Sequence, residues 1–251
     1  MRWHPFVLMW LRGRKQETMH FSPPTSAVET VAPSHGAPPQ GHERAFDVAA
    51  YRRKLDAFNH SHNYRMDLDA LFSVVREMSF TAILDVGCGT GFMVREARKR
   101  HPACRVEGID RFDFDGEGCW VADVCSVDFS WQRRYDLLTM VHAINHLVDL
   151  ERAIENLNVL LEPGGHLLIA NPNPAFVKII RTLNAYGHLE TRGGDDTVVA
   201  YLGAAEIDRV VNRCGLDRVL HREYGEAIRC TVHGTDMVIR ERELLSYRKR
   251  G

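Results

Sequence analysis

The spacing of apolar residues changes near residue 80 of the chain. From Phe46 to that point, apolar side chains recur every three to four residues, a period that predicts two amphipathic helices on either side of the polar segment Asn59–Arg65. Beyond it, short apolar runs dominate, and such runs are typical of strands that are buried on both faces of a parallel sheet. Strands are predicted over residues 81–86, 105–110, 119–123, 135–141 and 165–171.

Helical segments separate most of these strands. One runs over residues 93–101 and ends before Pro102. Another begins after Asp149, which is a predicted N-cap, and ends before the turn at residues 163–165. Strands that alternate with helices predict an α/β fold with an open, doubly wound sheet, and ligands of such sheets bind beyond the carboxyl ends of the strands.

The first 45 residues differ in composition from the rest. Residues 5–11 form an apolar run between basic residues, but this run is far shorter than the roughly 20 residues that a membrane span needs. No small-residue cleavage site follows it closely, so a signal peptide is not predicted either. Residues 22–43 are rich in Pro, Ser and Gly, a composition that predicts disorder. We expect residues 1–45 to be a flexible extension, and a short membrane-surface or partner-docking anchor is the alternative.

Composition places the chain among ordinary globular proteins. Hydrophobic residues make up 45% of it and charged residues 26%, and the formal net charge is -1. This charge provides no broad basic field, so nucleic acid is not an expected partner. The cysteines show no CxxC pair or other metal-ligand spacing, which predicts reduced thiols in core segments of a cytoplasmic protein. They are Cys88, Cys104, Cys119, Cys125, Cys214 and Cys230.

The segment ILDVGCGTGF, residues 83–92, leads from a predicted strand through three glycines into a predicted helix that starts near Thr90. Gly87, Gly89 and Gly91 can adopt positive φ and let a ligand touch main-chain atoms. The first amides of the helix offer hydrogen-bond donors and a partial positive charge. This corner of the backbone therefore suits a carboxylate or a phosphate.

Two acidic residues accompany the glycine corner. Asp85 lies two positions before the first glycine, and Asp110 ends the following strand. Together with the GxGxG spacing, they resemble the motifs of the class I S-adenosylmethionine-dependent methyltransferases. The resemblance is specific over about residues 81–171 and weaker over residues 202–242.

The resemblance implies S-adenosylmethionine as cofactor and S-adenosylhomocysteine as product. In that family the glycine loop surrounds the methionine end of the cofactor, and an acidic residue after the second strand accepts hydrogen bonds from both ribose hydroxyls. The latter residue corresponds to Asp110, while Asp123 would receive the adenine amino group and the Val124 amide would face a ring nitrogen. The cofactor-lining residues implied in this way are Asp85, Gly87, Cys88, Gly89, Thr90, Gly91, Asp110, Arg111, Asp123, Val124 and Val141.

Some of these positions also have a structural interpretation. Asp110 can be a loop or cap residue, Asp123 can simply end a strand, and Cys88 is best explained as a small packing residue. One departure from the family pattern concerns the segment after Asp110, because residues 111–118 are too few for the helix that usually follows. The side chain that covers the adenine is therefore undecided between Arg111 and Phe112.

For catalysis, the resemblance points to the end of the fourth strand, where family members often face the substrate. His142, Asn145 and His146 lie there, and a histidine is a base that is available near neutral pH. Hydrogen-bonded loop structure is the alternative for each of them. The strand end carries no acidic residue of the kind that metal-dependent relatives need, so no metal is expected.

The resemblance also implies a fold class and a domain organisation. We expect an α/β fold with a doubly wound, mostly parallel seven-stranded sheet, helices on both faces and an antiparallel last strand. His60, His62 and Tyr64, placed between the two leading helices, are candidates to close over the site. A single methyltransferase domain over residues 46–251 would comprise a helical lid (46–80), a cofactor-binding core (81–171), a substrate-side insertion (172–202), and a last helix with terminal strands (203–251).

The function predicted from these features is methyl transfer to an oxygen or nitrogen of a small molecule, a secondary metabolite or a sugar derivative. The expected partners are this small-molecule substrate and, as an open alternative, a second copy of the chain; a membrane span is not expected. A non-methylating reaction on the same fold, such as cyclisation, is the main rival. A nicotinamide oxidoreductase is disfavoured by the glycine spacing, and a non-catalytic partner subunit is a third alternative.

Overall fold

The computed structural model describes residues 6–8, 18–20, 47–185, 198–232 and 235–251. The chain divides into two compact units. The smaller unit comprises Met1–Asp47 and Ile228–Val238, and the larger one comprises Val48–Ala227 and Ile239–Gly251.

The smaller unit contains two short strands from the amino-terminal segment. Strand β1 (Phe6–Leu8) pairs antiparallel with β2 (Thr18–His20) and also with residues 229–231. The run Phe-Val-Leu favours a strand because β-branched and aromatic residues suit the pleated backbone. Two pieces of the segment that we expected to be a flexible extension are therefore strands, and the remainder of residues 1–45 lies outside the described residues.

The larger unit alternates helices and strands. Its helices are α1 (Val48–Asn59), α2 (His62–Val75), α3 (Phe92–Arg100), α4 (Leu150–Leu160), α5 (Pro174–Ala185) and α6 (Ala204–Arg213). Its strands are β3 (Ala82–Val86), β4 (Arg105–Asp110), β5 (Cys119–Val121), β6 (Tyr135–Val141) and β7 (Leu161–Pro172), followed by most of β8 (Leu216–Val232) and β9 (Thr235–Lys249). A 3₁₀ turn spans Ile144–His146.

The strands of the larger unit are ordered β8-β9-β7-β6-β3-β4-β5. The five strands from β3 to β7 run parallel to one another, whereas β9 runs antiparallel to β7. This arrangement confirms the predicted mostly parallel, seven-stranded sheet with an antiparallel last strand. No helix intervenes over residues 111–118, as the short connection predicts.

Apolar clusters cover both faces of the sheet. Successive residues of a strand point to opposite faces, so Leu84 and Leu138 join one cluster while Ile83 and Leu137 join the other. The first cluster includes side chains of α4 and α6, and the second includes side chains of α2 and α3. Helices therefore lie on both faces, which confirms the doubly wound class.

The turn between the two leading helices is shorter than predicted. Helix α2 begins at His62, because Ser61 acts as its N-cap and accepts a hydrogen bond from the Tyr64 amide at 3.2 Å. The prediction that His62 and Tyr64 lie in a polar loop was wrong: both belong to the first turn of α2. Only residues 60–61 separate the helices.

The capping of α4 and the start of the predicted insertion agree with the sequence. Asp149 accepts a hydrogen bond from the Arg152 amide at 2.9 Å, so it is the N-cap of α4. Helix α5 occupies the start of the 172–202 segment, while its Gly-Gly-Asp-Asp loop, residues 193–196, lies outside the described residues. None of the helices in the described ranges is both long and apolar enough to span a membrane.

The expectation that the cysteines belong to the core holds for only one described thiol. Cys88 is buried, whereas partial exposure is shared by Cys104, Cys119, Cys125 and Cys214. The reason is position: Cys88 lies against the sheet, and the other four lie at the ends of strands and helices or in turns. All five thiols are free, and the side chain of Cys230 lies outside the described residues.

Replacement of Gly87 by Ala should destabilise the fold more than the same replacement does at another glycine with left-handed backbone. Gly87 has φ +73°, and a Cβ there would lie 2.4 Å from the Ala143 Cβ. Gly164 has φ +77° but its nearest neighbour would be an Arg248 side-chain nitrogen at 3.4 Å. We expect Gly164→Ala to cost about 1 kcal/mol of unfolding free energy and Gly87→Ala about 2–4 kcal/mol. Urea unfolding of both variants tests this, and equal losses would contradict the contact with Ala143.

Candidate functional site

The candidate site lies where three neighbouring parallel strands end. Strand β3 pairs with β4 on one side and with β6 on the other. The glycine loop, residues 87–91, follows β3; Asp110 ends β4; and His142 follows β6. Because the carboxyl ends of parallel strands share one edge of the sheet, the order of the strands in the sheet brings these three features together.

The glycine loop has the backbone conformation expected from its sequence. Gly87, Gly89 and Gly91 have φ of +73°, +51° and +72°, in the left-handed region. The Gly87 and Cys88 amides both donate to the Ile109 carbonyl, at 2.8 and 3.1 Å, which fixes the loop against β4. The loop thus turns sharply between the end of β4 and Ala143, the residue after His142.

Asp110 is joined to the glycine loop. Its Oδ2 accepts a hydrogen bond from the Gly89 amide at 2.9 Å, and its Oδ1 accepts one from the Phe112 amide at 3.0 Å. Each carboxylate oxygen keeps a second lone pair after these bonds. Partial burial raises the pKa of this carboxyl. The half-buried carboxylate beside a bare loop fits the ribose of the predicted cofactor, because two adjacent hydroxyls could each donate to one oxygen.

Asp85 lies deeper than the other predicted cofactor residues. Its side chain is buried and its Oδ1 accepts a hydrogen bond from the Thr139 hydroxyl of β6 at 2.8 Å. Burial raises the pKa of Asp85 to about 7, and the nearby charge of Asp110 adds to the effect. Asp85 is therefore a buried residue near the end of β3, two positions before the glycine loop, with its side chain bonded to β6.

The middle of the glycine loop is held from below and from above. Cys88 is buried and lies over Gly108 of β4, where a Cβ would come within 2.8 Å of its sulfur. The Thr90 hydroxyl accepts a hydrogen bond from Asn59 of α1 at 2.9 Å, and both side chains are buried. The leading helices are thus attached directly to the loop.

The residues predicted around the adenine follow β4 and β5. The Arg111 guanidinium lies over the ring of Phe112, 4.5 Å from its centre. Asp123 is exposed, and its Oδ1 accepts a hydrogen bond from the Cys125 amide at 2.9 Å, while Val124 is buried. Val141 is buried at the end of β6. These residues line the same edge of the sheet as the glycine loop, although Asp123 also stabilises its own turn.

His142 has an unusual backbone conformation and aromatic neighbours. Its φ is +60°, which is rare for residues other than glycine. Its ring meets the ring of Phe58 edge-on at 4.9 Å between centres, and it stacks near Tyr64 at 6.2 Å. Both neighbours belong to α1 and α2, so the leading helices cover this histidine. Tyr64 is buried beside this histidine, whereas His60 and His62 are exposed. The closure of these three residues over the site stays a prediction.

The partner of His142 is Asp67, a residue that sequence reasoning missed. The His142 Nε2 lies 2.5 Å from Oδ2 of Asp67, which is fully buried in α2. The other carboxylate oxygen accepts a hydrogen bond from the Tyr224 hydroxyl at 2.6 Å. Asp67 lies three residues after Tyr64 and one before Leu68, on the apolar face of its helix. Charged residues are rarely buried without a partner, so an aspartate on the apolar face of a helix is a sequence signal that could have indicated this pair.

Asn145 and His146 occupy the 3₁₀ turn that follows. Asn145 is buried; its amide nitrogen donates to the Asn171 side chain at 2.7 Å and its amide oxygen accepts from the Leu202 amide at 3.2 Å. These bonds anchor residues 199–202, so Asn145 has a structural role whatever else it contacts. His146 is half-buried, and its amide closes the turn by donating to the Ala143 carbonyl.

Among the described residues, no three His, Cys, Asp or Glu side chains are arranged so that they could hold a metal ion. The groups of the site that can act chemically include the Asp110 carboxylate beside the glycine loop and the pair of His142 with Asp67. A carboxylate-bound imidazole beside a main-chain corner can accept a proton from a molecule that lies there.

Comparison with known proteins adds a family to this geometry. The chain matches the family described as "Methyltransferase domain" over residues 37–221. A ubiquinone biosynthesis O-methyltransferase of Coxiella burnetii is 28% identical over 119 residues, which cover 40% of this chain and 47% of that protein. The chain thus matches about half the length of the curated relatives.

Solved structures show the same fold. The N-methyltransferase NodS from Bradyrhizobium japonicum WM9, in complex with S-adenosyl-L-homocysteine, has a TM-score of 0.51 at 19% identity, with 78% of this chain and 91% of that chain covered. An S-adenosylmethionine-dependent methyltransferase from Clostridium acetobutylicum has a TM-score of 0.53 at 14% identity, with 81% and 98% covered.

The chain has the α/β fold of the S-adenosylmethionine-dependent methyltransferases. The chain belongs to the methyltransferase-domain family, since the match spans more than half of its length. The predicted family resemblance is confirmed.

Asp85 should make the stability of the protein depend on pH. Its pKa is raised to about 7 in the fold, so its share of the stability is present below about pH 4 and is lost as pH rises towards 7. We expect the unfolding free energy to fall by on the order of 2–3 kcal/mol between pH 5 and pH 8 on account of this group. Asp85→Asn should remove that decrease, as measured by urea unfolding at both values.

Glu243 provides the control for this measurement. Burial raises its pKa to about 7 as well, so it titrates in the same window. Glu243→Gln should flatten the pH dependence by its own share only, and the double variant should flatten it further. A decrease that is as steep in Asp85→Asn as in the parent protein would contradict the buried, protonatable state of Asp85.

Proposed function

We propose that the protein transfers a methyl group from S-adenosylmethionine to a hydroxyl oxygen of a small molecule. The observation that carries this proposal is the pairing of His142 with Asp67 next to the glycine loop. A neutral hydroxyl is a weak nucleophile and gains from a base that removes its proton, whereas a neutral amine reacts without one. The O-methyltransferase relative of Coxiella burnetii also supports oxygen as the acceptor atom.

The glycine loop and Asp110 are assigned to the cofactor. S-adenosylmethionine, when bound, supplies a methyl group on a positively charged sulfur. We assign the main chain of Gly87, Gly89 and Gly91 to its amino acid part, because a left-handed loop without side chains lets a ligand approach the backbone closely. Asp110 is assigned to the ribose hydroxyls. Each of its carboxylate oxygens accepts one hydrogen bond from a backbone amide and keeps a second lone pair for a ligand.

The remaining cofactor contacts are assigned to the residues after β4 and β5. The guanidinium of Arg111 stacked on Phe112 offers a flat, partly apolar cover for the adenine. Asp123 and the Val124 amide are assigned to the edge of the base, as the family resemblance implies. Cys88, Thr90 and Asp85 shape the loop from behind, where they are buried.

His142 is the proposed base. With Nε2 bound to the Asp67 carboxylate, Nδ1 is the ring nitrogen that can accept the proton of an acceptor hydroxyl. The positive φ of His142 turns the chain immediately after β6, where Ala143 adjoins Gly87. The proton acceptor and the cofactor loop are therefore held at the same strand ends, as an in-line transfer requires.

The substrate class is inferred from the side chains around His142. Phe58, Tyr64 and Phe92 form a connected aromatic group, with 5.4 Å between the first two ring centres and 5.8 Å between the last two. Such walls suit an acceptor with a flat, apolar body. We therefore propose that the acceptor is a phenolic secondary metabolite.

We also propose that the protein is cytoplasmic, because its described cysteines are free thiols.

Asp110→Ala should weaken binding of S-adenosylhomocysteine by about 1–3 kcal/mol, because the ribose hydroxyls lose their acceptor. Isothermal titration calorimetry measures the affinity. Asp113→Ala is the matched control, since Asp113 lies in the same connection and its carboxylate accepts a hydrogen bond from the Asp115 amide. Equal affinities of Asp110→Ala and the parent protein would contradict the assignment of this carboxylate.

His142→Asn should lower the turnover of a phenolic acceptor by about 10²–10⁴-fold while the affinity for S-adenosylhomocysteine stays unchanged. Asn is chosen because it tolerates the left-handed backbone and removes the base. Release of S-adenosylhomocysteine is measured with catechol and a panel of simple phenols. His166→Ala is the control for loss of a histidine, since His166 lies in β7 opposite Leu137 and outside the proposed site.

Full turnover in His142→Asn would contradict the base assignment. Consumption of an acceptor without release of S-adenosylhomocysteine would instead support the rival non-methylating reaction. Methylation of amines but of none of the phenols would move the acceptor atom from oxygen to nitrogen.

A further inference from the structure

Asp67 is a fully buried carboxylate at the centre of four elements. It belongs to α2, and its neighbours are His142 after β6, Tyr224 in β8 and Arg242 in β9. A buried charge is costly unless it is paired and hydrogen-bonded. Each of these neighbours supplies a hydrogen or a positive charge, so the surroundings of Asp67 are built for an ionised carboxylate.

The bond to Asp67 determines which ring nitrogen of His142 carries the proton. An ionised carboxylate can only accept hydrogen bonds. The Nε2 that faces Asp67 Oδ2 at 2.5 Å must therefore be the protonated one, and Nδ1 keeps its lone pair. The carboxylate thereby selects the tautomer and orients the ring, as the third member of a catalytic triad does.

Tyr224 holds the carboxylate in turn. Its hydroxyl donates to Asp67 Oδ1 at 2.6 Å, which leaves Oδ2 for His142. Burial and the charge of Asp67 raise the pKa of Tyr224 far above its ordinary value, so this hydroxyl remains a donor. Arg242 lies 3.8 Å from Asp67 Oδ1 through Nε and offsets the charge, with 6% of its side chain exposed.

Helix α1, which precedes the helix that carries Asp67, contacts the glycine loop. Asn59, at the end of α1, donates to the Thr90 hydroxyl, and the Leu55 side chain would lie 3.1 Å from a Cβ on Gly89. Helix α1 is therefore attached to the loop and α2 to His142, and only residues 60–61 separate the two helices. A displacement of these helices would separate Asp67 from the imidazole.

We propose that Asp67 is a positioning residue for the methyl transfer: it holds His142 as the Nε2–H tautomer with Nδ1 free to accept a proton, and Tyr224 fixes Asp67 for this task. The inference rests on the proposed role of His142 as the base. It adds that the leading helices, which cover the site, also supply the group that prepares the base.

The first test is spectroscopic and needs no acceptor. The tautomer of His142 is read from the ¹⁵N shifts of histidine-labelled protein in complex with S-adenosylhomocysteine, with His142→Asn to identify the signal. We expect the Nε2–H form in the parent protein and a mixture of tautomers in Asp67→Asn. The same tautomer in both proteins would overturn the proposal.

The second test compares two tyrosines that each donate a hydrogen bond to a carboxylate. Tyr224→Phe removes the bond to Asp67, whereas Tyr247→Phe removes an equivalent bond, at 2.9 Å, from Tyr247 to Asp208. Both variants lose one hydroxyl that donates a part-buried hydrogen bond to a carboxylate, so a purely structural effect should be similar. We expect Tyr224→Phe to shift the His142 tautomer and to lower kcat about 3–30-fold at unchanged KM for S-adenosylmethionine, and Tyr247→Phe to do neither.

The outcomes separate this inference from the proposed function. Loss of turnover in His142→Asn together with full turnover in Asp67→Asn and Tyr224→Phe would overturn only the positioning role. Full turnover in all three would overturn the base assignment itself. The tyrosine pair keeps the test decisive where Asp67→Asn fails to fold, because it leaves the buried carboxylate in place.

Discussion

The site depends on the close approach of Gly87 to Ala143. A Cβ on Gly87 would lie 2.4 Å from the Ala143 Cβ, so the end of β3 and the exit of β6 meet at a distance that only a glycine permits. Because Ala143 follows His142 directly, the same contact sets the separation between the cofactor loop and the proposed base. The adjacent parallel strands place the two loops at one edge of the sheet. The absence of a side chain on Gly87 then allows the loops to come into contact.

The leading helices complete this arrangement through polar contacts. Asn59 reaches Thr90 in the glycine loop and Asp67 reaches His142, so each of the two helices carries one buried polar anchor. Buried polar groups are strongly directional, because an unpaired partner loses its hydrogen bond without regaining water. The aromatic residues Phe58 and Tyr64 fill the space between the anchors. The cover over the site is therefore specified by hydrogen bonds and filled by apolar contact.

The features that sequence predicted well are local ones. The apolar runs predicted the bounds of β4 and β6, and the glycine spacing predicted the left-handed turn after β3, because each pattern lies within a short stretch of chain. Helix α2 was placed too late because Ser61, its N-cap, stands inside a polar segment that resembles a loop.

The partner of His142 could not be predicted because it is distant in the sequence. Asp67 lies 75 residues before His142 and 157 before Tyr224, and only the packing of α2 against the sheet brings them together. Apolar periodicity identifies the buried face of a helix, but it carries no information about which strand that face meets. The structural role of Asn145, which binds Leu202 and Asn171, was hidden for the same reason.

The short connection between β4 and β5 also affects the border of the sheet. Strand β5 is the last in the strand order and has only three residues, two of which, Trp120 and Val121, are 50% and 60% exposed. A long apolar border strand would act as a template for adding strands from other molecules, whereas a very short one offers few free backbone groups. The brevity of β5 thus protects the protein from self-association at a place where its side chains alone would invite it.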